Sequence, residues 1–562
     1  MSRLIAECSE LNNTASFPVL VRTPQNVSRT VPTSYGTIAA AMAAAADGDT
    51  IRILTGNYDE DVAVTKDLVF VGSGPDSTVL RTSTNDDAIM DIAGGHSVTV
   101  RGIRFESQLS EPFSVARGIR DTAGTVAVTH CRFHTIPNWS LQVMHGTVSV
   151  DSCEFLMFAG AADVGVDAFH SVFWISDSYG GTRLDHVFDP WGTALGVVED
   201  CTMDGSSVHW ANGIRLRGSG PVALLRNNLI VGQHLGTEPW IQTVGGIAAF
   251  GPMFVEIYDN EIHGFTHGLN IGTDATARVH RNTITDNLLV GVECFNNPLL
   301  DLGGGDLGSP GLNLIQNNGT FSVRNKSAPD LYAKYNYWGG GDSATIDATM
   351  YDDEENLAYG EVLFKPGGFI LQAGKLVQLI TELQFILTFD SVIGMGVLSV
   401  VPLDAGPRPP GGVEPIPPVP PYLYDVVTDA VFMDDIEVCY EYDEALLTGS
   451  ELATTMWHHD GSIWFNITSS RTPAEDMVCG TTRGLSVFMV GLMDFLCGDT
   501  DASGSVTSAD IINMVNHVFK GSDPPVPVPA AGDANSDHVL TSADIIYLVN
   551  FVFKGGPAPE CR

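Results

Sequence analysis

The chain has 562 residues, more than one hydrophobic core organises, so three or four domains of ~100–200 residues each are expected. Its 44% hydrophobic content excludes a disordered chain. A net charge of −39, from 67 acidic against 28 basic residues, argues against nucleic acid or an anionic lipid surface as partner and leaves a divalent cation or a neutral glycan. With 17% charged residues and 59 glycines, a turn-rich β protein is expected rather than a helical one.

Residues 1–33 form an N-terminal segment with no apolar leader, and no run along the chain is apolar and long enough to span a bilayer. Thr37 to Ala46 is a strong helix former with a Thr N-cap, ended by Asp47-Gly48-Asp49, and reads as a cap over one end of a coil. From about residue 95 to 284 a short unit recurs: apolar, x, apolar, x, x, small or polar, x, apolar. The sixth position runs Ile103, Cys131, Cys153, Asp177, Cys201, Asn228, Asn260, Asn282, in steps of 22 to 32 residues. Alternation of period two makes strands with one buried face, and units too short to bury that face alone must stack as a solenoid. The Asn amides are expected to ladder along the coil axis, with the cysteines as small inward hydrophobes.

The segment Asp49 to Tyr58 with Leu68 to Gly72 resembles the opening rung of the pectin-lyase-like superfamily, and Asp301 to Gly305, Ser309 to Asn313 and Tyr335 to Gly339 resemble closing rungs of bacterial surface β-helix proteins. The resemblance implies a right-handed parallel β-helix over residues 34–366. Residues 367–493 then show short strand-like segments around a Pro-rich loop at 402–421, the pattern of a β-sandwich, with Cys439 and Cys479 as a disulfide staple. Such regions look like modules beside C-terminal anchoring domains in secreted bacterial proteins.

Residues 494–562 carry the sharpest motif. Aligning Gly498 with Gly532 gives 14 identities in 24 positions. Each half opens with a loop of EF-hand spacing, oxygen side chains at positions one, three, five and twelve, followed by an amphipathic helix. The first loop has Gly504 at the sharp sixth position; the second has His538 there, so a weaker second site is expected. Two such half-motifs resemble a type I dockerin. By position, the resemblance implies calcium held by Asp499, Asp501, Ser503, Ser505 (carbonyl) and Asp510, and by Asp533, Asn535, Asp537, Val539 (carbonyl) and Asp544. It implies a cohesin-like partner met by Ser508-Ala509 or Ser542-Ala543. Cys497 and Cys561 bracket this module, and the two cysteine pairs imply disulfides and export to the surface or the medium, with a truncated or misassigned start in place of a visible signal peptide.

For the coil, fold decides no activity. Motifs of a polygalacturonase-like site are missing, and lysine, a lyase's usual base, is nearly absent before Lys326. Weak catalytic candidates are Asp163, Asp167, His170, Asp185, Asp189 and Arg215, since carboxylates opposite one another serve as acid and base on a glycosidic bond. Trp174, Trp191 and Trp210 are the candidates for stacking on sugar rings. Arg215 and Arg217, alternating on one strand, read as a solvated face. The expectation is therefore an exported β-helix protein that presents a polysaccharide-binding face and docks through its C-terminus. Its rivals are a dockerin-tethered polysaccharide lyase or glycosidase, and a structural solenoid.

Overall fold

The computed structural model describes residues 27–561 apart from 83–87, 109–116, 157–163, 182–185, 205–211, 219, 221, 233–244, 341–342 and 382. Alternation does what the period demands. Strand Thr125–Thr129 buries Val126 and Val128 and turns Ala127 outward. His130 follows at φ 51° and redirects the chain; Cys131 points in, and Arg132–His134 forms a second strand. Trp139–Met144 makes a third strand before Thr147–Asp151 returns one rung along the axis, in parallel register with Thr125–Thr129. Repetition of this circuit builds a parallel β-solenoid from three sheets. Among the described residues, sheet 1 has 14 strands from Ser28–Val31 to Val362–Leu363, sheet 2 has 11 from Gly56–Asp59 to Leu314–Gln316, and sheet 3 has 12 from Val62–Val64 to Met350–Tyr351. Ser28–Val31 falls in the segment assigned above to the N-terminus, yet it pairs with Thr50–Ile53 as the coil's first strand.

The three corners behave differently. Between sheets 1 and 2, in the rungs from residue 101 to 282, a residue with positive φ (Ser152, Asp177, Asp200, Asn227, Asp259) is followed by one inward residue, whereas the same corner takes five residues at 73–77 and ten at 304–313. Between sheets 2 and 3 the connection varies from two residues (60–61) to thirteen (232–244), which absorbs the uneven step of the repeat. The inward column at the first corner is the expected one with a single correction. Ser178, not Asp177, stands beside Cys153, because Asp177 occupies the left-handed position and Ser178 Oγ accepts from Cys153 N at 3.2 Å. The ladder also runs further, through Asn313 and Asn336. Each amide bonds the next, Asn228 Nδ2 to Asn260 Oδ1 at 2.8 Å and Asn260 Nδ2 to Asn282 Oδ1 at 3.0 Å. Cys131, Cys153 and Cys201 are buried free thiols, and burial pushes Cys201 up to about 12, so they pack rather than react.

The second residue of most sheet 3 strands is glycine or serine. A Cβ on Gly213 would lie 2.4 Å from Ile230, and one on Gly246 2.4 Å from Ile262, both inward residues of sheet 2. Where sheet 3 carries Val187 instead, sheet 2 carries Gly180, whose Cβ would lie 2.1 Å from Val187. The core is close-packed, so bulk on one wall is matched by its absence on the other. The helix Ile38–Ala43 covers one end of the coil, with Thr37 accepting from Ala40 N and Ile38 and Ala41 joining the core.

At the other end Leu312 and Leu314 pack on Val397, and Ser399 Oγ donates to Tyr335 O at 2.9 Å. Val397 and Ser399 belong to two face-to-face antiparallel sheets of seven and five strands, whose shared core includes Phe385, Leu387, Leu398, Val400, Val426 and Val490. The Pro-rich stretch is not wholly a loop, because Val413–Ile416 pairs with Val490–Met493. Cys439 and Cys479 are bonded between adjacent strands of one sheet. In the C-terminal module, helices Ser508–Lys520 and Ser542–Lys554 pack through Ile511, Met514, Ile545 and Leu548. Cys497 and Cys561 are bonded, and Val528 and Ala530 join the core of the two antiparallel sheets. Among the described residues no helix is long and apolar enough to cross a membrane.

Candidate functional site

Sheet 3 carries chemistry on its outer side. Its strands share a local pattern: small residue second, core residues third and fifth, and an outward side chain fourth. The fourth positions line up in register as Asp91, Arg120, Gln142, Asp167, Asp189, Arg215, Ala248, Asn270, Glu293 and Arg324. The sixth positions form a parallel row that includes Phe169, Trp191, Arg217, Phe250, Phe295 and Lys326. Parallel strands lie about 4.8 Å apart, so each row is a straight strip along the axis.

Arginine–carboxylate clamps on neighbouring rungs organise the strip. Arg120 donates twice to Asp91, at 2.8 and 2.7 Å. Arg215 donates to both oxygens of Asp189, at 3.2 and 2.6 Å, and Arg217 does so at 3.3 and 2.9 Å while lying 5.0 Å over the Trp191 ring. Arg324 holds Glu293 at 3.0 and 2.8 Å, with His267 and Lys326 on the same carboxylate. Burial alone would raise Glu293, but the hydrogen bonds from His267 and Arg324 win and hold it at about 2. Burial, helped by Arg215, pushes His186 down to about 3, so it is neutral, and Asn212 Nδ2 sits 3.2 Å from its Nδ1.

Asp167 is the exception. It is 2% exposed, and burial together with the nearby Asp189 pushes it up to about 6, against hydrogen bonds from Gln142 Nε2 at 2.8 Å and Trp191 Nε1 at 2.6 Å. A carboxyl raised in the folded state binds its proton more tightly there than in the unfolded chain. Its stability contribution therefore falls as pH rises from about 4 to about 6. Asp167→Asn is expected to be more stable than wild type at pH 7, by up to about 3 kcal/mol, with the difference vanishing near pH 4. Denaturation midpoints at the two pH values check this; an equal difference at both would show that Asp167 does not titrate in this window.

The structure thus brings Asp167, Asp189, Arg215 and Trp191 together and separates the other candidates. His170 stands at the corner between sheets 3 and 1 with φ 47°, its Nδ1 accepting from Thr193 N at 2.9 Å, which makes it a turn residue. Trp174 lies on sheet 1, a different face from Trp191. Asp163, Asp185 and Trp210 fall outside the described residues. The alternating arginines are corrected: Arg215 and Arg217 converge on an aspartate that is 1% exposed rather than forming a solvated face. Sequence reasoning missed Asp91, Arg117, Arg120, Gln142, Asn270, Glu293 and Arg324, although the small-core-polar-core pattern of Arg117–Thr122, Val164–Phe169, Asn212–Arg217 and His267–Gly272 marks the same position each time. The described strands of sheet 3 carry Arg117, Arg120, Arg215, Arg217, Arg324 and Lys326 against outward Asp91, Asp167, Asp189 and Glu293, so this face has a cation excess within a chain of net charge −39.

In the C-terminal module, carboxylate oxygens of Asp499, Asp501 and Asp510 lie within 4.8 Å of one another, as do those of Asp533, Asp537 and Asp544. Backbone amides hold them in place, Gly504 N on Asp499 at 2.7 Å and His538 N on Asp533 at 3.0 Å. Ser503 Oγ reaches both Asp499 and the Ser505 carbonyl, and Asn535 Nδ2 bonds Asp537. The sixth loop position needs positive φ in both halves, 86° at Gly504 and 63° at His538. Ser508, Ala509, Ser542 and Ala543 are exposed on the first helical turns. Ile512 and Phe519, and their counterparts Ile546 and Phe553, are also exposed. An all-oxygen donor set fits a hard cation such as calcium.

Residues 203–341, about a quarter of the chain, match a family described as protein of unknown function (DUF1565). No curated protein matches the chain. Among solved structures, a variant of the catalytic domain of a GH87 alpha-1,3-glucanase in complex with nigerose is 11% identical, over 61% of this chain and 68% of that one, with a TM-score of 0.37. The periplasmic alginate epimerase AlgG is 12% identical over 52% and 73%, with a TM-score of 0.32. The PL6 family alginate lyase AlyGC is 14% identical over 60% and 56%, with a TM-score of 0.34.

Proposed function

We propose that the outer side of sheet 3 is a binding face for a polysaccharide, on an exported protein that docks elsewhere through its C-terminal module. The observation that carries this is the straight outward row of sheet 3, with arginine–carboxylate clamps at three places along it and aromatic rings in the row beside it, which is matched to a linear polymer. Both oxygens of Asp167 and of Asp189 are engaged by neighbouring side chains, so neither is poised as the acid or base of a lyase or glycosidase, and binding is favoured over catalysis. The chain's overall charge suggested a neutral glycan. The local cation excess favours one bearing carboxylates or sulfates, since a ligand meets the local field.

Electrophoresis through gels containing alginate, polygalacturonate or dextran tests the reading. The acidic polymers should retard the protein, less so at high salt, and Arg217→Ala with Lys326→Ala should weaken retention at least tenfold. Passage unhindered through all three would sink it, and release of shortened or unsaturated products would restore the enzyme reading.

The C-terminal module is read as dockerin-like. Calcium would be held by the ten residues named from the sequence, and a cohesin-like partner would meet either nearly identical half. The converging carboxylates and the duplicated exposed Ile and Phe support this. Export is supported by two disulfides, which persist in oxidising compartments.

A further inference from the structure

The cations of sheet 3 are not spread evenly along it. On its described strands from Ala88–Ile92 to Asn212–Arg217, Arg117, Arg120, Arg215 and Arg217 stand against outward Asp91, Asp167 and Asp189, a surplus of one positive charge. From Val290–Phe295 to Phe321–Lys326, Arg324 and Lys326 share Glu293, again a surplus of one before His267 is counted. Exposure shows which cation carries each surplus. Arg215 and Arg324 lie low, with side chains 23% and 18% exposed, and each neutralises its carboxylate through two hydrogen bonds. Arg217 and Lys326 reach the same carboxylates from the sixth-position row and stay 44% and 34% exposed.

Register fixes the separation of these two cations. The sixth positions run Arg217, Phe250, Gly272, Phe295, Lys326 on successive strands, so four strand spacings of about 4.8 Å place Arg217 and Lys326 about 19 Å apart. The two strands that follow Arg217 are uncharged at both outward positions, with Ala248 and Asn270 at the fourth and Phe250 and Gly272 at the sixth. The Phe250 and Phe295 rings close over Gly272, with centroids 5.8 Å apart. Two charges about 19 Å apart lie beyond the screening length of ~8 Å in physiological salt, so they are coupled only by something that touches both. A compact anion meets one of them, and a neutral glycan uses neither. A linear polymer with an acidic group on each unit meets both. A 1,4-linked pyranose is crossed in about four covalent bonds and advances roughly 5 Å, so its first and fifth units fall about 20 Å apart. The units between them then lie along the aromatic rings.

We propose that Arg217 and Lys326 are the two anion-reading ends of one binding run, bridged by about five units of a 1,4-linked glycan that bears carboxylates. This rests on sheet 3 being the polysaccharide face. Titration calorimetry on the full chain, with trimers and hexamers of galacturonate and of mannuronate, tests it. A hexamer can place a trimer's contacts in about four registers, which by itself raises affinity no more than about fourfold. Bridging adds a second contact within one complex, so wild type should bind the hexamer at least tenfold tighter than the trimer. Arg217→Ala and Lys326→Ala should each bring that ratio down to about fourfold or less, while the trimer, which reaches one cation at a time, loses no more than about threefold. Arg217→Lys, which keeps the charge, should keep the tenfold step. A ratio of about fourfold or less in wild type, or a tenfold step that survives either alanine variant, overturns the bridge and leaves the polysaccharide face standing where alginate or polygalacturonate still retards the chain. Failure of wild type to be retarded by either polymer overturns the face and the bridge together.

Discussion

Asn260→Ala should destabilise the coil by about 3–5 kcal/mol, the largest effect of any single truncation in the inward column. The Asn260 amide donates to Leu225 O and Tyr258 O, both at 2.9 Å, and to Asn282 Oδ1; its own oxygen accepts from Asn228 N at 3.1 Å and from Asn228 Nδ2. Asn228 Nδ2 keeps Val198 O, and Asn282 Oδ1 keeps Asn260 N, so the truncation orphans chiefly two carbonyls and one N–H in a place that is 2% exposed. Each such group costs about 1–3 kcal/mol less whatever the neighbours recover. Because each rung of a solenoid touches only its neighbours, the damage should be local: hydrogen exchange should quicken at residues 222–231 and 276–285 and stay unchanged near the helix Ile38–Ala43. A loss under 1 kcal/mol by urea denaturation would mean that water replaces the amide and the ladder is not a stability element.

Chelation should unfold residues 497–562 while leaving the coil intact, with the antiparallel sheets losing the contacts of Val528 and Ala530. The module's core is small, Ile511, Met514, Ala534, Ile545 and Leu548 with a few partners, and its loops gather three carboxylates each. Without a cation those carboxylates repel one another. With calcium at a thousand times its Kd, each site adds about 4 kcal/mol to folding. EGTA should therefore make helices Ser508–Lys520 and Ser542–Lys554 cleavable by protease within the Cys497–Cys561 loop, and Asp499→Ala with Asp510→Ala should remove one of two bound ions in calorimetry. His538→Gly should tighten the second site about fivefold, since a non-glycine residue in the left-handed region costs about 1 kcal/mol. Resistance to protease with and without EGTA, or two ions bound by the double variant, would show that these loops are not cation sites.

How much of this was legible differs from element to element. The coil was readable because inward positions recur two apart within each strand and the strands recur. The column of Cys131, Cys153, Cys201, Asn228, Asn260 and Asn282 was readable for the same reason. It slipped at Asp177-Ser178, two small polar residues in a row, where only the left-handed φ of Asp177 tells which one turns in. Trp174 and Trp191 looked equivalent as aromatic residues in a polar stretch, yet they lie on different sheets. Arg215 and Arg217 looked like a solvated pair because their common partner, Asp189, sits on the preceding rung, 26 and 28 residues back. The small-core-polar-core pattern of sheet 3 was present in the letters, but nothing local distinguishes its fourth position as a shared strip.

The sequence by itself determined strand alternation, the repeat that stacks the rungs, the capping helix, the spacing of both oxygen-rich loops and which cysteines pair. Only the tertiary structure decided which side chains are neighbours across the coil, because that depends on register between strands joined by connections of two to thirteen residues. A shift of one residue turns a strand's side chains to its opposite face. Hence the clamps on Asp91, Asp189 and Glu293, and the uncharged stretch between two of them, exist only once the rungs are stacked.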